Sequence, residues 1–331
     1  MRLCTLWLVL LSLVLGHIRT LSAQTIPAAP ASQPAATEPL PHEVYTGVYI
    51  NQIKSIDLKT NTFVVDFWVW FRWKGDDIKP LDTFEVVGGQ VDGKTGEIHE
   101  VVKGWNYAAC RATATMTKFF DIRRFPLDEH VLALAIEDSE METERLVYHP
   151  DVDNSGLSPE VAVPGWKIDS SGAKVVDQQY ATNYGNISLD TGNKSIYSRF
   201  VFEVSLTRPG AGYFFKLFWS LFLATIIALL ALLIDPIDLD PRFGLGVGAI
   251  FAAIASAYVI SSALPETNQY TLADKMNMLA VAVIFLSIVE SVFSLRLWKN
   301  GKEALSRTVD HVSFCAMLTL YGIATLWMVF V

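Results

Sequence analysis

Residues 235–265, DPIDLDPRFGLGVGAIFAAIASAYVISSALP, decide the fold. An acidic, proline-punctuated segment leads into a run of about twenty apolar or small residues, Phe243 to Leu264, long enough to cross a bilayer as a helix. Gly244, Gly246, Gly248, Ala249, Ala252, Ala253, Ala255, Ser256, Ser261 and Ser262 are all small. Small residues let membrane helices approach closely. The stretch therefore reads as a helix enclosed by other helices rather than one that faces lipid.

Three more apolar runs flank it, at about 213–234, 277–297 and 309–331, each long enough to span a bilayer. The hydrophobic 51% of this 331-residue chain is concentrated there and at the extreme N-terminus. The net charge of −8 and the lack of a Lys/Arg-rich run argue against nucleic acid as a partner. Residues 1–23 carry the pattern of a secretory signal: Arg2, an apolar core from Leu3 to Leu15, and Leu21-Ser22-Ala23 before the cut. An uncleaved anchor is the alternative, but the apolar core is short for a span. Residues 24–42 are rich in Ala, Pro, Ser and Thr and read as a disordered linker.

Residues 43–208 form the soluble part, exported by the signal. Phe63 to Trp73, FVVDFWVWFRW, is β-branched and aromatic, as strands are. Turn clusters at 57–61, 74–77, 92–96, 154–156, 170–172 and 190–193 cut the segment into short strands, the pattern of a β-sandwich or barrel. Cys4 leaves with the signal, Cys110 lies in the exported part and Cys315 in a span, so no disulfide framework is expected. Four crossings from an exported N-domain return the C-terminus outside. The loop holding Arg296, Lys299, Lys302 and Arg307 then lies inside, as the positive-inside rule requires.

An exported β-sandwich joined through Arg208 to four spans resembles the pentameric ligand-gated ion channels, the Cys-loop receptor superfamily, in their prokaryotic branch. Asp121-Ile-Arg-Arg-Phe-Pro-Leu-Asp128 resembles the signature loop, with Phe125, Pro126 and Asp128 at its core. Lys118 and Leu132 stand where animal receptors carry the bridging cysteines, Trp68 and Trp73 resemble the second strand, and Leu264-Pro265, Tyr270-Thr271 and Asp274 resemble the loop after the pore helix. The chain departs from the family at Ser220, where the first span usually has proline, and at Gly244 and Gly248, where the pore helix usually has Ser or Thr. No tryptophan follows Ile136-Glu137-Asp138, where amine receptors place a cage residue.

The resemblance implies a homopentamer in the bacterial inner membrane, multi-pass, with its N-domain periplasmic. It implies no cofactor, with the lipid bilayer and a small extracellular ligand or ion (a proton, calcium or a small amine) as partners. With the second span taken as pore-lining, helical spacing back from Pro265 gives one stripe: Asp240, Gly244, Gly248 (or Val247), Phe251, Ala255, Val259 (or Tyr258) and Ser262. Five copies of Asp240 would form a carboxylate ring that admits cations, or the aspartates simply favour a helix N-terminus. Phe251 is a candidate hydrophobic gate, or a packing residue. Gly244 and Gly248 serve helix packing or a wide vestibule.

Coupling would run through Asp57, Lys59, Phe125, Pro126, Asp128, Arg208, Pro265 and Tyr270, with an Asp128–Arg208 pair that is either a switch or a static bridge. The inter-subunit ligand site would take Trp68, Arg111, Tyr180, Tyr184 and Tyr197, whose rings can hold a cation or pack in the core. The acidic run 137–144 with Asp151 and Asp153 is a calcium candidate or a solvated loop. The expected function is a ligand-gated, cation-permeable channel; the alternative is a membrane-tethered sensor of the same fold that conducts little. With no nucleophile elbow, HExxH, CxxC or clustered histidine, an enzyme is not expected.

Overall fold

The computed structural model describes residues 40–185 and 194–330. The expected signal at 1–23, the linker as far as residue 39, and the turn at 190–193 lie outside the described residues.

Ten strands come first: β1 (His42–Asp57), β2 (Thr62–Trp73), β3 (Phe84–Val86), β4 (Gly89–Val102), β5 (Trp105–Thr117), β6 (Glu129–Asp138), β7 (Leu146–Pro150), β8 (Gly156–Leu157), β9 (Lys167–Gln179) and β10 (Ile196–Thr207). Among the described residues, a single helical turn, α1 (Pro80–Thr83), is the only helix between them. One sheet has the order β4-β5-β2-β1-β7 with β8 also paired to β1; the other has the order β3-β6-β10-β9.

Strand alternation explains why the sheets stack. Along β2, Phe63, Val65, Phe67, Val69, Phe71 and Trp73 are buried, while Val64, Trp68, Trp70 and Arg72 alternate with them on the other face. From the second sheet, Leu132, Leu134 and Ile136 of β6 and Phe200, Phe202, Val204 and Leu206 of β10 are buried in the same core. Burying side chains of this size stabilises by about 1.5–3 kcal/mol each. That core holds the two sheets together without disulfides; both described cysteines are free.

Four helices follow: α2 (Gly210–Leu230), extended by a 3-10 turn at Ala231–Leu233, then α3 (Leu239–Ser262), α4 (Leu272–Lys299) and α5 (Glu303–Phe330). All four are long and apolar enough to cross a membrane. The fold is thus a two-sheet domain followed by four span-capable helices, as the sequence predicts. α4 and α5 begin at Leu272 and Glu303, earlier than the apolar runs at 277 and 309, because hydropathy marks only the apolar part of a helix. The α4 start is a capping box: the Thr271 hydroxyl accepts from Asp274 N at 3.0 Å, and the Asp274 carboxylate accepts from Thr271 N at 2.9 Å.

Within the bundle, Phe214, Phe218 and Phe222 line one side of α2, with Phe214 and Phe218 centroids 4.8 Å apart, and Phe222 meets Tyr321 of α5. α5 is the least enclosed helix: 6% of its apolar window is buried, against 44% for α2.

Candidate pore helix, coupling loop and ligand-binding residues

α3 has two faces. Arg242, Gly246, Ala249, Ala253, Ser256 and Ile260 are buried, recurring every three or four residues as one helical stripe. Small side chains on that stripe let α2 and α4 come close. A Cβ at Gly246 would stand 2.8 Å from Ile288 Cγ1, so this position admits no side chain without movement. The opposite face carries Asp240, Gly244, Gly248, Phe251, Ala255, Val259 and Ser262, all exposed within the subunit. Phe251 is 68% exposed, so its own subunit does not cover it. A Cβ at Gly244 or Gly248 would meet nothing within 4 Å. Packing inside the subunit therefore falls to Gly246, not to these two glycines.

Arg242 is turned away from that exposed face. Its guanidinium is fully buried, Nε donates to Ser291 Oγ at 3.0 Å, and Nη2 reaches Asp310 Oδ1 at 2.5 Å and Glu290 Oε2 at 3.3 Å.

The signature loop lies between the two domains. Asp128 is buried and accepts from Arg208 Nε at 2.7 Å, with His130 Nε2 also 2.7 Å away. Burial pushes the Asp128 carboxyl up, but the His130 bond and the Arg208 charge outweigh it and hold the group below the usual carboxylate range. Phe125 and Pro126 are buried, joined by a cis bond, and Phe125 meets Tyr213 of α2 edge-on at 6.3 Å. Leu272 N donates to Arg123 O at 2.9 Å and Ala273 N to Phe125 O at 3.2 Å. The first amides of a helix have no partner within it; here the loop's carbonyls supply two.

The tip between β1 and β2 also joins this assembly. Asp57 Oδ1 accepts from Lys59 N at 2.9 Å and Thr60 N at 3.3 Å, closing the turn. Asn61 then accepts from Lys118 N through its carbonyl and from Phe120 N through its side chain. Pro265 is half-buried and Tyr270 is 66% exposed. The bonds from the loop after α3 to the signature loop come instead from Leu272 and Ala273.

The five residues expected at a ligand site fall into two separate groups. Trp68 and Arg111 face each other across β2 and β5, and Arg111 Nε bonds Asp66 Oδ1 at 2.8 Å. Tyr180 lies 5.7 Å from Tyr184 and 5.8 Å from Tyr197, edge-on to both, at the facing ends of β9 and β10. Tyr180 Oη donates to Glu137 Oε2 at 2.9 Å and accepts from Arg199 Nη2 at 2.8 Å. Burial and the bond to Glu137 push its phenol up to about 12. The Arg199 guanidinium, 5.9 Å from the Tyr180 ring, already holds a cation's place there.

No family model matches the chain. It is 21% identical over 317 residues, 90% of this chain and 84% of the relative, to a proton-gated ion channel from Gloeobacter violaceus. The similarity is distant and continuous. It runs through both domains, and with four span-capable helices it points to a multi-pass membrane protein similar to an ion channel.

Sequence reasoning missed several of the residues that build the domain junction. His130 and Trp166 flank Asp128 and Arg208, with the Arg208 guanidinium 4.1 Å from the Trp166 ring. Thr271-x-x-Asp274 was a readable capping signal for the α4 start. The acidic run divides in the structure. Glu137 is engaged by Arg199 Nε at 2.6 Å, and Asp138 Oδ1 accepts the amides of Glu140 and Met141. Among the described residues no group of three or more metal-ligating side chains stands together.

Proposed function

We propose that this chain is the subunit of a homopentameric, ligand-gated channel whose cation-permeable pore is lined by the exposed face of α3. The observation that carries the reading is the division of α3. A span-capable helix turns Arg242, Gly246, Ala249, Ala253 and Ser256 inward, and leaves uncovered a stripe of Asp240, two glycines and Phe251. Lipid rewards large apolar side chains, not glycine and a carboxylate. Five such faces round an axis give a carboxylate ring at the end farther from the β-domain. Phe251 then stands midway as a hydrophobic constriction that dewets when closed.

Residues 1–23 would be removed on export, leaving the β-domain, residues 43–208, in the periplasm and residues 209–331 in the inner membrane. Ligand would act between subunits, where the tyrosines of one chain meet Trp68 and Arg111 of the next. Arg199 beside Tyr180 opposes a small amine by like charge. A proton is favoured, in keeping with the proton gating of the Gloeobacter violaceus relative. Glu85 is the carboxylate suited to receive it, raised above its ordinary value by partial burial and then by Glu137 and Asp138.

The test is current across planar bilayers under a salt gradient, at stepped pH, for the purified protein and for Asp240→Asn. A cation-directed reversal potential that collapses in the variant supports the reading. Silence across pH, calcium and small amines, persisting in Phe251→Ala, would overturn it in favour of a tethered sensor.

A further inference from the structure

The bundle holds one cluster of charge that the pore stripe does not use. Arg242 leaves α3 on the buried face, two residues from Asp240 and so about half a turn round the helix from it, and its guanidinium is enclosed by groups from α4 and α5. Asp310 takes it by both oxygens, Oδ1 from Nη2 at 2.5 Å and Oδ2 from Nη1 at 3.4 Å. Glu290 Oε2 accepts from Nη2 at 3.3 Å, Ser291 Oγ from Nε at 3.0 Å and Ile234 O from Nη1 at 3.2 Å. Asp310 is itself fixed: Ser294 Oγ donates to its Oδ2 at 2.9 Å, and Ser294 Oγ is 2.7 Å from Ser306 Oγ. On α5, the least enclosed of the four long helices, Asp310 is one of three buried residues.

A buried charge is tolerated only where it is paired and hydrogen-bonded. The least enclosed helix thus buries a carboxylate that meets a cation from α3. Free of these partners, the long Arg242 side chain would move to the nearest water. In a pentamer that water is the lumen beside Asp240, where a guanidinium would cancel the carboxylate's field.

We propose that Asp310 and Glu290 are positioning residues for ion selectivity: they hold the Arg242 charge out of the conducting path, so that Asp240 alone sets the field at that mouth. The inference rests on the channel reading above and names what guards its selectivity.

The experiment is the reversal potential of the full-length protein in bilayers under a salt gradient. The variants are Glu290→Gln/Asp310→Asn, the same pair with Arg242→Gln, and Arg242→Gln alone. The double variant should lower the cation-to-anion permeability ratio by about tenfold, and adding Arg242→Gln should restore it to within about twofold of the parent. A merely structural loss would reduce assembly and current without moving the reversal potential. Where the double variant does not assemble, Arg242→Gln alone decides: an unchanged ratio supports the proposal, and a rise in cation preference overturns it. A cation-selective parent whose double variant assembles and keeps its reversal potential sinks this inference only. A parent that passes no ions sinks the channel reading, and this inference with it.

Discussion

Arg208, the residue after the last strand, donates through Nε to Asp128 Oδ1 at 2.7 Å, and three rings close round its guanidinium. Trp166, Tyr213 and Phe125 stand 4.1, 4.8 and 5.1 Å from it. A strand end, a loop and the start of α2 therefore share one buried cation. Removing one partner from such a pair costs about 3–5 kcal/mol, because the other charge is left buried. Arg208→Gln should lower the melting temperature of the purified protein steeply. Arg208→Lys keeps the charge but loses the fork and the ring stacking, and should fall between the two. Equal melting of Arg208→Gln and the parent would show that the pair contributes nothing.

A second bridge between the domains is made of backbone alone. Leu272 is the first residue of α4 after its Thr271 cap, and its amide goes to Arg123 O at 2.9 Å. Proline is well accepted at that helix position and has no N–H to give. Thr271, with φ −76° and ψ 164°, already has the extended backbone that a following proline demands. Leu272→Pro therefore deletes the inter-domain bond while leaving the helix start intact, and Leu272→Ala controls for the lost side chain. In ion-flux assays the proline variant should respond to ligand more weakly than the alanine variant. Matching responses would show that the bond transmits nothing.

Much of this was legible in the sequence. The alternation in Phe63–Trp73 marked a strand of a sandwich, and the glycine and alanine run marked a span-capable helix, which α2 and α4 cover on one face only. Asp128 and Arg208, eighty residues apart, could be paired only through a resemblance. What could not be read was which glycine packs. Gly244, Gly246 and Gly248 look alike in the sequence, and only the place of Ile288 separates them. Likewise the partners of Arg242 lie on α4 and α5, at a separation no local pattern records.

The pH dependence of the β-domain follows from Asp66 and Asp128. Asp66 is buried; burial raises it, but Arg111, Asn51 and Lys54 together bring it below the usual value. A depressed carboxylate contributes stability that is fully present above the unfolded value of about 3.9 and is lost as pH falls through the native one. The melting temperature should then be insensitive to these two groups from neutral pH to about pH 5 and fall below about pH 4. Asp66→Asn should flatten part of that acid slope. Glu85 has the opposite sign: raised by partial burial, Glu137 and Asp138, it destabilises its ionised form. Glu85→Gln should raise the melting temperature at neutral pH and leave it unchanged near pH 4. A gain at both pH values would count against that account.

The two kinds of glycine in α3 give the sharpest contrast. Alanine is better than glycine within a helix by about 1 kcal/mol. At Gly248 the new methyl meets nothing in the subunit, so Gly248→Ala should hold or raise the melting temperature. In the pentamer proposed above, five added methyl groups on the uncovered face should also narrow the lumen and reduce conductance. At Gly246 the methyl would lie 2.8 Å from Ile288 Cγ1, an atom within the side chain that cannot simply swing aside. Overpacking of this kind costs about 1–3 kcal/mol, enough to outweigh the helix propensity. Gly246→Ala should therefore melt earlier than the parent. Ile288→Ala should rescue it: the loss in the Gly246→Ala/Ile288→Ala pair should be smaller than the sum of the two single losses. Strict additivity would mean that α3 and α4 do not meet at these residues, and the inward face of the pore helix would have to be redrawn.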